Sequence, residues 1–311
     1  MERQQPCNPT AVVRDPLPLA SAKDTALSPP MLLTIVDGAP PMPPTTVDGA
    51  PPTSPTRSIK LAAVGSHLKP INIKPSFPTY WKPKFFKKAT QIQNKPRFLC
   101  LHGFRTSAEI LRKQLRRWPE TVLGKWDLVF IDGPFLAQGE SGVERFYSPP
   151  YYEWFQFSQD YQEAYNFEEC LAYIEDYMVR NGPFDGVMGF SQGAILSAAM
   201  PGMQLDGVAL TKVPKIKCVI IMSGAKFGGS NLGSPKLAAN AFSSPLKCPS
   251  LHIIGEADLL KEQGIELLES FVDPFVVHHS KGHTIARLDE KGLKTILSFI
   301  ETIEKMHPQL R

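Results

Sequence analysis

The 311-residue chain lacks any run of about eighteen consecutive apolar residues, so no membrane-crossing helix is expected. It also lacks a basic N-terminal cluster followed by an apolar segment, which leaves a secretory leader unsupported. Glu2, Asp15 and Asp24 run against an organellar transit peptide, and a cytoplasmic or nuclear address is expected by default. No H-E-x-x-H, no paired C-x-x-C and no G-x-x-x-x-G-K loop occurs, so neither a metal nor a cofactor is expected and catalysis should rest on side chains alone. Cysteine is scarce and odd in number: Cys7, Cys100, Cys170, Cys218 and Cys248, several of them within apolar runs, read as reduced core thiols and not as a disulfide framework. A net charge of +4 is small for this length and gives no general case for a nucleic-acid partner. The basic stretch from Lys69 to Lys95, interleaved with Tyr80, Trp81, Phe85 and Phe86, is read as a solvated linker with a few anchoring aromatics.

The composition is divided along the chain. More than half of the 30 prolines precede residue 91, where long periodic apolar runs are missing. Such a stretch buries too little surface to offset its ordering entropy, so residues 1–94 are expected to be a mostly disordered, Pro-rich extension. Within it V-D-G-A-P-P occurs at Val36 to Pro41 and again at Val47 to Pro52, two copies that read as extended linker and are too few for a solenoid. Residues 95–305 are expected to form the one globular domain.

From Arg97 onward, short β-branched or apolar runs alternate with amphipathic ones, the pattern of a mostly parallel sheet with helices on both faces. The expected strands are Phe98 to Leu101, Leu128 to Ile131, Phe184 to Met188, Ile216 to Met222, Leu251 to Ile254 and Phe275 to His278, about six in all. Ala108 to Trp118 and Phe167 to Val179 carry apolar residues at helical spacing. So does Thr284 to Lys305, with Gly292 a point where that last helix divides. Ligands in open sheets of this kind bind beyond the carboxyl ends of the strands, so the turns after the strands carry the chemistry.

After the run Phe184 to Met188 comes Gly189-Phe190-Ser191-Gln192-Gly193, followed by a small apolar helix start. This is G-x-S-x-G between a strand and a helix, where two glycines permit a sharp turn that holds the serine out at its tip. A serine hydroxyl needs a base, and the base needs a group that fixes its tautomer. Both lie downstream in the order this arrangement requires. Gly255-Glu256-Ala257-Asp258 ends one strand, and His278-His279-Ser280-Lys281-Gly282-His283 ends the next. His283, after Gly282 and at the opening of the last helix, is the expected base, while His278 and His279 fit a strand end or edge. Asp258, further into its loop than Glu256, is the expected acid. The oxyanion needs two N–H donors. One is expected from Gln192, directly after the nucleophile, and the other from Phe104 in Leu101-His102-Gly103-Phe104, with His102 shaping that loop. Between Ile131 and Phe167 lies an insertion rich in aromatics, from Phe135 to Tyr165, which suits either an apolar wall for an acyl chain or a loop packed on its own domain.

These residues resemble the FSH family of serine hydrolases over about residues 95–305. The likeness rests on Phe98-Leu-Cys-Leu-His-Gly-Phe104, Tyr151-Tyr-Glu-Trp154, Phe184 to Ala194 around the serine, Gly255 to Asp258, and Gly282-His283. The resemblance implies an α/β-hydrolase fold and esterase or thioesterase activity on small-molecule acyl substrates. It places Ser191, Asp258 and His283 in the triad, with Phe104 and Gln192 at the oxyanion hole. The N-terminal 94 residues have no counterpart in that pattern. The competing class is a retired hydrolase that binds a small molecule without turnover, and the presence of all three triad residue types runs against it.

Overall fold

In the computed structural model, residues 95–306 are described. The expected disordered extension and the basic stretch Lys69 to Lys95 therefore lie, apart from Lys95 itself, outside the described residues. The elements run β1 (Arg97–Leu101), α1 (Ala108–Leu115), α2 (Glu120–Leu123), β2 (Asp127–Ile131), β3 (Phe135–Leu136), β4 (Tyr152–Glu153), β5 (Gln156–Phe157), β6 (Ala164–Tyr165) and α3 (Phe167–Asn181). They continue with β7 (Gly186–Phe190), α4 (Gln192–Leu205), β8 (Cys218–Met222), a short 3-10 turn (Lys236–Ala238), β9 (Ser250–Gly255), α5 (Lys261–Leu268), β10 (Phe275–His279) and α6 (Glu290–Met306).

Six strands form one parallel sheet in the order β10-β9-β8-β7-β1-β2. Side chains alternate across a strand, so residues of both parities must be apolar when both faces are covered. β1 shows this directly. Phe98 and Cys100 join the cluster beneath α1 and α6, whereas Leu99 and Leu101 join the one beneath α3 and α4. In β8, Cys218, Ile220 and Met222 face the first cluster and Val219 and Ile221 the second. α4 packs on β7, β8 and β1 and is buried around most of its circumference, which is why its sequence is apolar with almost no polar stripe. α6 is amphipathic instead, and buries Ile296, Phe299, Ile300 and Ile303. Each such side chain contributes about 1.5–3 kcal/mol by leaving water.

The winding direction reverses at β1. The chain steps from β1 out to β2 on one side, then crosses back through α3 to β7 on the other, and β8, β9 and β10 extend from there. The turns after β1 and β7 thus meet at the topological switch point, where open parallel sheets place their sites. This is the α/β-hydrolase architecture. The described cysteines, Cys100, Cys170, Cys218 and Cys248, are free thiols, and burial pushes all four above the ordinary thiol range.

Several boundaries differ from the sequence reading. The strand expected at Phe184 to Met188 runs instead over Gly186–Phe190, so the turn begins only at Ser191. The helix expected from Thr284 starts at Glu290. Ahead of it, two carbonyls that a longer helix would use are taken from outside. Arg117 Nη1 donates to Ile285 O at 3.1 Å and Trp118 Nε1 to Ala286 O at 3.1 Å. His283 accordingly sits in a loop ahead of the last helix and does not open it. Gly292 does not divide α6 but lies in its first turn, its N–H donating to Asp289 Oδ1 at 2.7 Å.

Candidate active site

The turn between β7 and α4 is built by close backbone approach. A Cβ on Gly189 would lie 2.1 Å from Gly193 O, and one on Gly193 would lie 2.2 Å from Leu101 O and 2.6 Å from His102 O. Gly193 N–H donates to His102 O at 3.1 Å, which ties the serine turn to the loop after β1. Gly193→Ala is therefore expected to force apart two backbones that have no side chain to yield. The predicted loss of stability lies at or above the upper end of the usual 1–3 kcal/mol for overpacking, read as a lower urea midpoint. Ser191 sits at the tip with φ 54° and ψ −118°, a region that costs a residue with a Cβ about 1–3 kcal/mol.

His283 and Asp258 meet this serine from the loops after β10 and β9. His283 Nε2 lies 2.9 Å from Ser191 Oγ, and His283 Nδ1 lies 2.8 Å from Asp258 Oδ1. An ionised carboxylate only accepts, so Nδ1 carries the proton and Nε2 is left to accept from the serine hydroxyl. All three residues are buried, and the Phe190 ring packs 5.1 Å from the imidazole. Burial pushes the Asp258 carboxyl up, yet the contacts from His283 and the Leu260 N–H outweigh it and hold the group below the ordinary carboxylate range. Ser223 also bears on this carboxyl, although Oδ2 has no hydrogen bond of ordinary geometry. Glu256, the alternative acid, faces outward and pairs with Lys261 at 2.9 Å and His278 at 2.8 Å. His279 is half-buried at the strand end.

His102 holds the neighbouring loop. Its Nε2 accepts the Gly133 N–H at 2.9 Å, and its Nδ1 donates to Gly103 O at 2.8 Å. Both nitrogens are thus engaged in the neutral ring, and burial lowers its pKa to about 4. Phe104 follows in that loop. Among the described residues, neither the Phe104 N–H nor the Gln192 N–H donates a hydrogen bond. The two donors expected for an oxyanion are therefore without an acceptor among the described residues.

The insertion between β2 and α3 packs largely on its own domain. Trp154 and Phe155 are fully buried with Leu99 and Leu101, and Phe155, Phe167 and Phe227 stack edge to face or tilted. Two short antiparallel ribbons, β3 with β4 and β5 with β6, brace it. Sequence reasoning missed the polar contacts that bind it to the site. The Gln192 side chain accepts from the Trp154 N–H at 3.1 Å and donates to Phe155 O at 2.7 Å. Arg105 Nε donates to the buried Glu153 at 2.8 Å, and Trp154 Nε1 donates to His102 O at 2.8 Å. The only signal for them was Tyr151-Tyr-Glu-Trp154, whose Glu153 and Trp154 stand out as a charge and an indole inside an apolar run.

Comparison with known proteins places the chain among described relatives. The model of a family described as serine hydrolase (FSH1) matches residues 91–292. The chain is 31% identical over 212 residues to Esterase OVCA2 of Bos taurus, which covers 61% of this chain and 88% of that one. It is 29% identical over 204 residues to Esterase CG5412 of Drosophila melanogaster, covering 62% and 69% respectively. Among solved structures, acyl-protein thioesterase 2 of Zea mays aligns over 71% of this chain and 96% of that one, with a TM-score of 0.45 and 17% identity.

Proposed function

The chain belongs to the FSH1 family of serine hydrolases, and from that premise we propose that it cleaves carboxylic esters or thioesters of acyl chains through an acyl-enzyme on Ser191. The observation that carries the reading is the relay of Asp258 Oδ1, His283 and Ser191 Oγ, joined at 2.8 and 2.9 Å at the tip of a strand-to-helix turn. His283 Nε2 takes the hydroxyl proton as Oγ attacks the acyl carbonyl, and Asp258 stabilises the imidazolium that forms. The carbonyl oxygen, now negative, receives the N–H groups of Phe104 and Gln192, which are free to turn toward it at no cost of broken bonds. Collapse expels the alcohol or thiol with the proton from His283. Water then enters, His283 acts again as base, and the acid leaves with Ser191 restored. The aromatic insertion forms one wall for the acyl chain, held against the turn by Gln192.

The test is covalent labelling by a fluorophosphonate together with hydrolysis of p-nitrophenyl esters and acyl-coenzyme A thioesters of increasing chain length. Labelling and turnover are expected in the native chain and neither in Ser191→Ala. Labelling that persists in Ser191→Ala moves the nucleophile elsewhere, and a folded native chain that is neither labelled nor active is a binding protein.

A further inference from the structure

Between α1 and the loop that joins β10 to α6 lies a cleft of about 710 Å³, lined by none of the three relay residues. Its floor is apolar, formed by Ile253 of β9, Val277 of β10 and Ala286 of the loop. Its rim carries five cations: Lys113, Arg116 and Arg117 from α1 and the turn after it, with Lys281 and Arg287 from the loop. One carboxylate, Asp289, stands among them, with its Oδ1 already accepting from Gly292.

Little else neutralises this charge. Among the described residues, only Lys113 of the five meets an acidic side chain, Glu109 at 3.8 Å on open helix surface, a contact of small worth. Arg117 is fixed to neutral oxygens, Thr284 Oγ1 at 3.2 Å and Ile285 O at 3.1 Å, so its position is set while its charge stays uncompensated. In the same wall His279 has a buried Nε2 without a partner among the described residues. Like charges gathered around a concave, low-dielectric wall focus their field into it and repel one another until an anion enters. Arginine forks suit phosphate oxygens, and the volume falls within the range of small-molecule sites.

We propose that this cleft binds a small organic anion bearing phosphate, its charged groups across the rim cations and its organic part over the apolar floor. Lys281 stands two residues before His283 and Thr284 one after it, so the ligand lies beside the loop that carries the base. Two sources share this chemistry. One is the phosphate-bearing leaving group of an acyl thioester, which rests on the hydrolase reading above. The other is a separate nucleotide-like ligand, which does not.

Titration calorimetry on the full chain carrying Ser191→Ala, with ADP and with inorganic pyrophosphate, tests binding independently of turnover. Saturable binding that weakens steeply with salt is expected. Adding Arg116→Gln and Arg287→Gln, both exposed, should weaken it about tenfold or more, and Arg116→Lys with Arg287→Lys, which keep the charge but not the fork, should recover only part of it. Failure of both probes to bind, or affinity unchanged in the glutamine variant, overturns the proposal. With Ser191 intact, the glutamine variant then separates the sources. A raised KM for octanoyl-coenzyme A with p-nitrophenyl octanoate unaffected marks the leaving group, whereas both substrates unaffected, with ADP binding lost, marks a separate ligand. Should the chain hydrolyse neither substrate nor take the fluorophosphonate label, the hydrolase reading fails and the calorimetric result stands on its own.

Discussion

Replacing His283 by alanine is expected to lower kcat on an aryl ester by about 10⁴-fold or more with KM little changed, and adding Ser191→Ala to that variant should cost almost nothing further. The two side chains are one device. Oγ is a nucleophile only while Nε2, 2.9 Å away, takes its proton, so losing either partner removes the same step. Asp258→Asn should cost less than either and more than any surface change. Asp258 Oδ1 faces His283 Nδ1 at 2.8 Å and also accepts the Leu260 N–H, so an amide at this position must present either its oxygen to both donors or its NH₂ to the ring. The second orientation imposes the wrong tautomer on the imidazole. Steady-state rates of the two single variants and the double variant decide the matter. Losses that multiply would mean that Ser191 and His283 act independently, and the relay mechanism would then be wrong. If the proposed oxyanion donors are the Phe104 and Gln192 N–H groups, which remain in all of these variants, a residual rate above that of water is expected.

The parts of this fold legible in the sequence are those where local pattern and tertiary environment agree. The central strands announced themselves because they are covered on both faces and must be apolar at nearly every position, as β1 and β8 are, whereas β9 and the edge strand β10 were legible from shorter apolar runs broken or ended by histidine. The serine turn was legible because two glycines flank one serine between a strand and a helix. Their physical role was read only in part: Gly189 is strand, its missing Cβ making room for Gly193 O, whereas glycine in isolation signals a turn. The last helix was drawn too long because Ile285 and Leu288 continue its apolar spacing. What ends it is invisible locally: Arg117 and Trp118, distant in sequence, take the carbonyls of Ile285 and Ala286. The two-residue strands of the insertion and the bonds from Gln192 to Trp154 and Phe155 were equally hidden. A side-chain amide beside a nucleophile has no pattern that names its partner.

Acid is expected to destabilise this chain from about pH 6.5 downward, well above the range in which carboxylates titrate. His102 is held at a pKa of about 4 and His252 at about 3, in both cases by burial. For His102 the geometry adds a reason, because a proton on Nε2 would point at the Gly133 N–H that this nitrogen now accepts. His252 lies between the Phe271 ring, 5.0 Å away, and the Ser250 hydroxyl at 3.0 Å, and no anion among the described residues favours its charge. Both folded values are depressed below the unfolded value of 6.5, so beneath that pH the unfolded chain binds protons that the folded one refuses. Stability is thus complete above about pH 6.5 and declines as pH falls toward the folded values. From pH 7.5 to 5 each ring should cost about 2 kcal/mol, about 4 kcal/mol together, against a total of roughly 5–15 kcal/mol for a domain. Half-buried His279, also lowered by burial, acts in the same direction. Urea unfolding at the two pH values measures the difference. His252→Asn is expected to reduce stability at pH 7.5 yet to halve the further loss at pH 5, since one of the two proton sinks is gone from the unfolded chain. An undiminished loss in that variant would mean that His252 does not titrate differently in the two states. His102→Asn should likewise about halve the loss over the same interval while also freeing the loop that bears Phe104, so its activity should fall at every pH, including pH 7.5 where the histidines cost nothing.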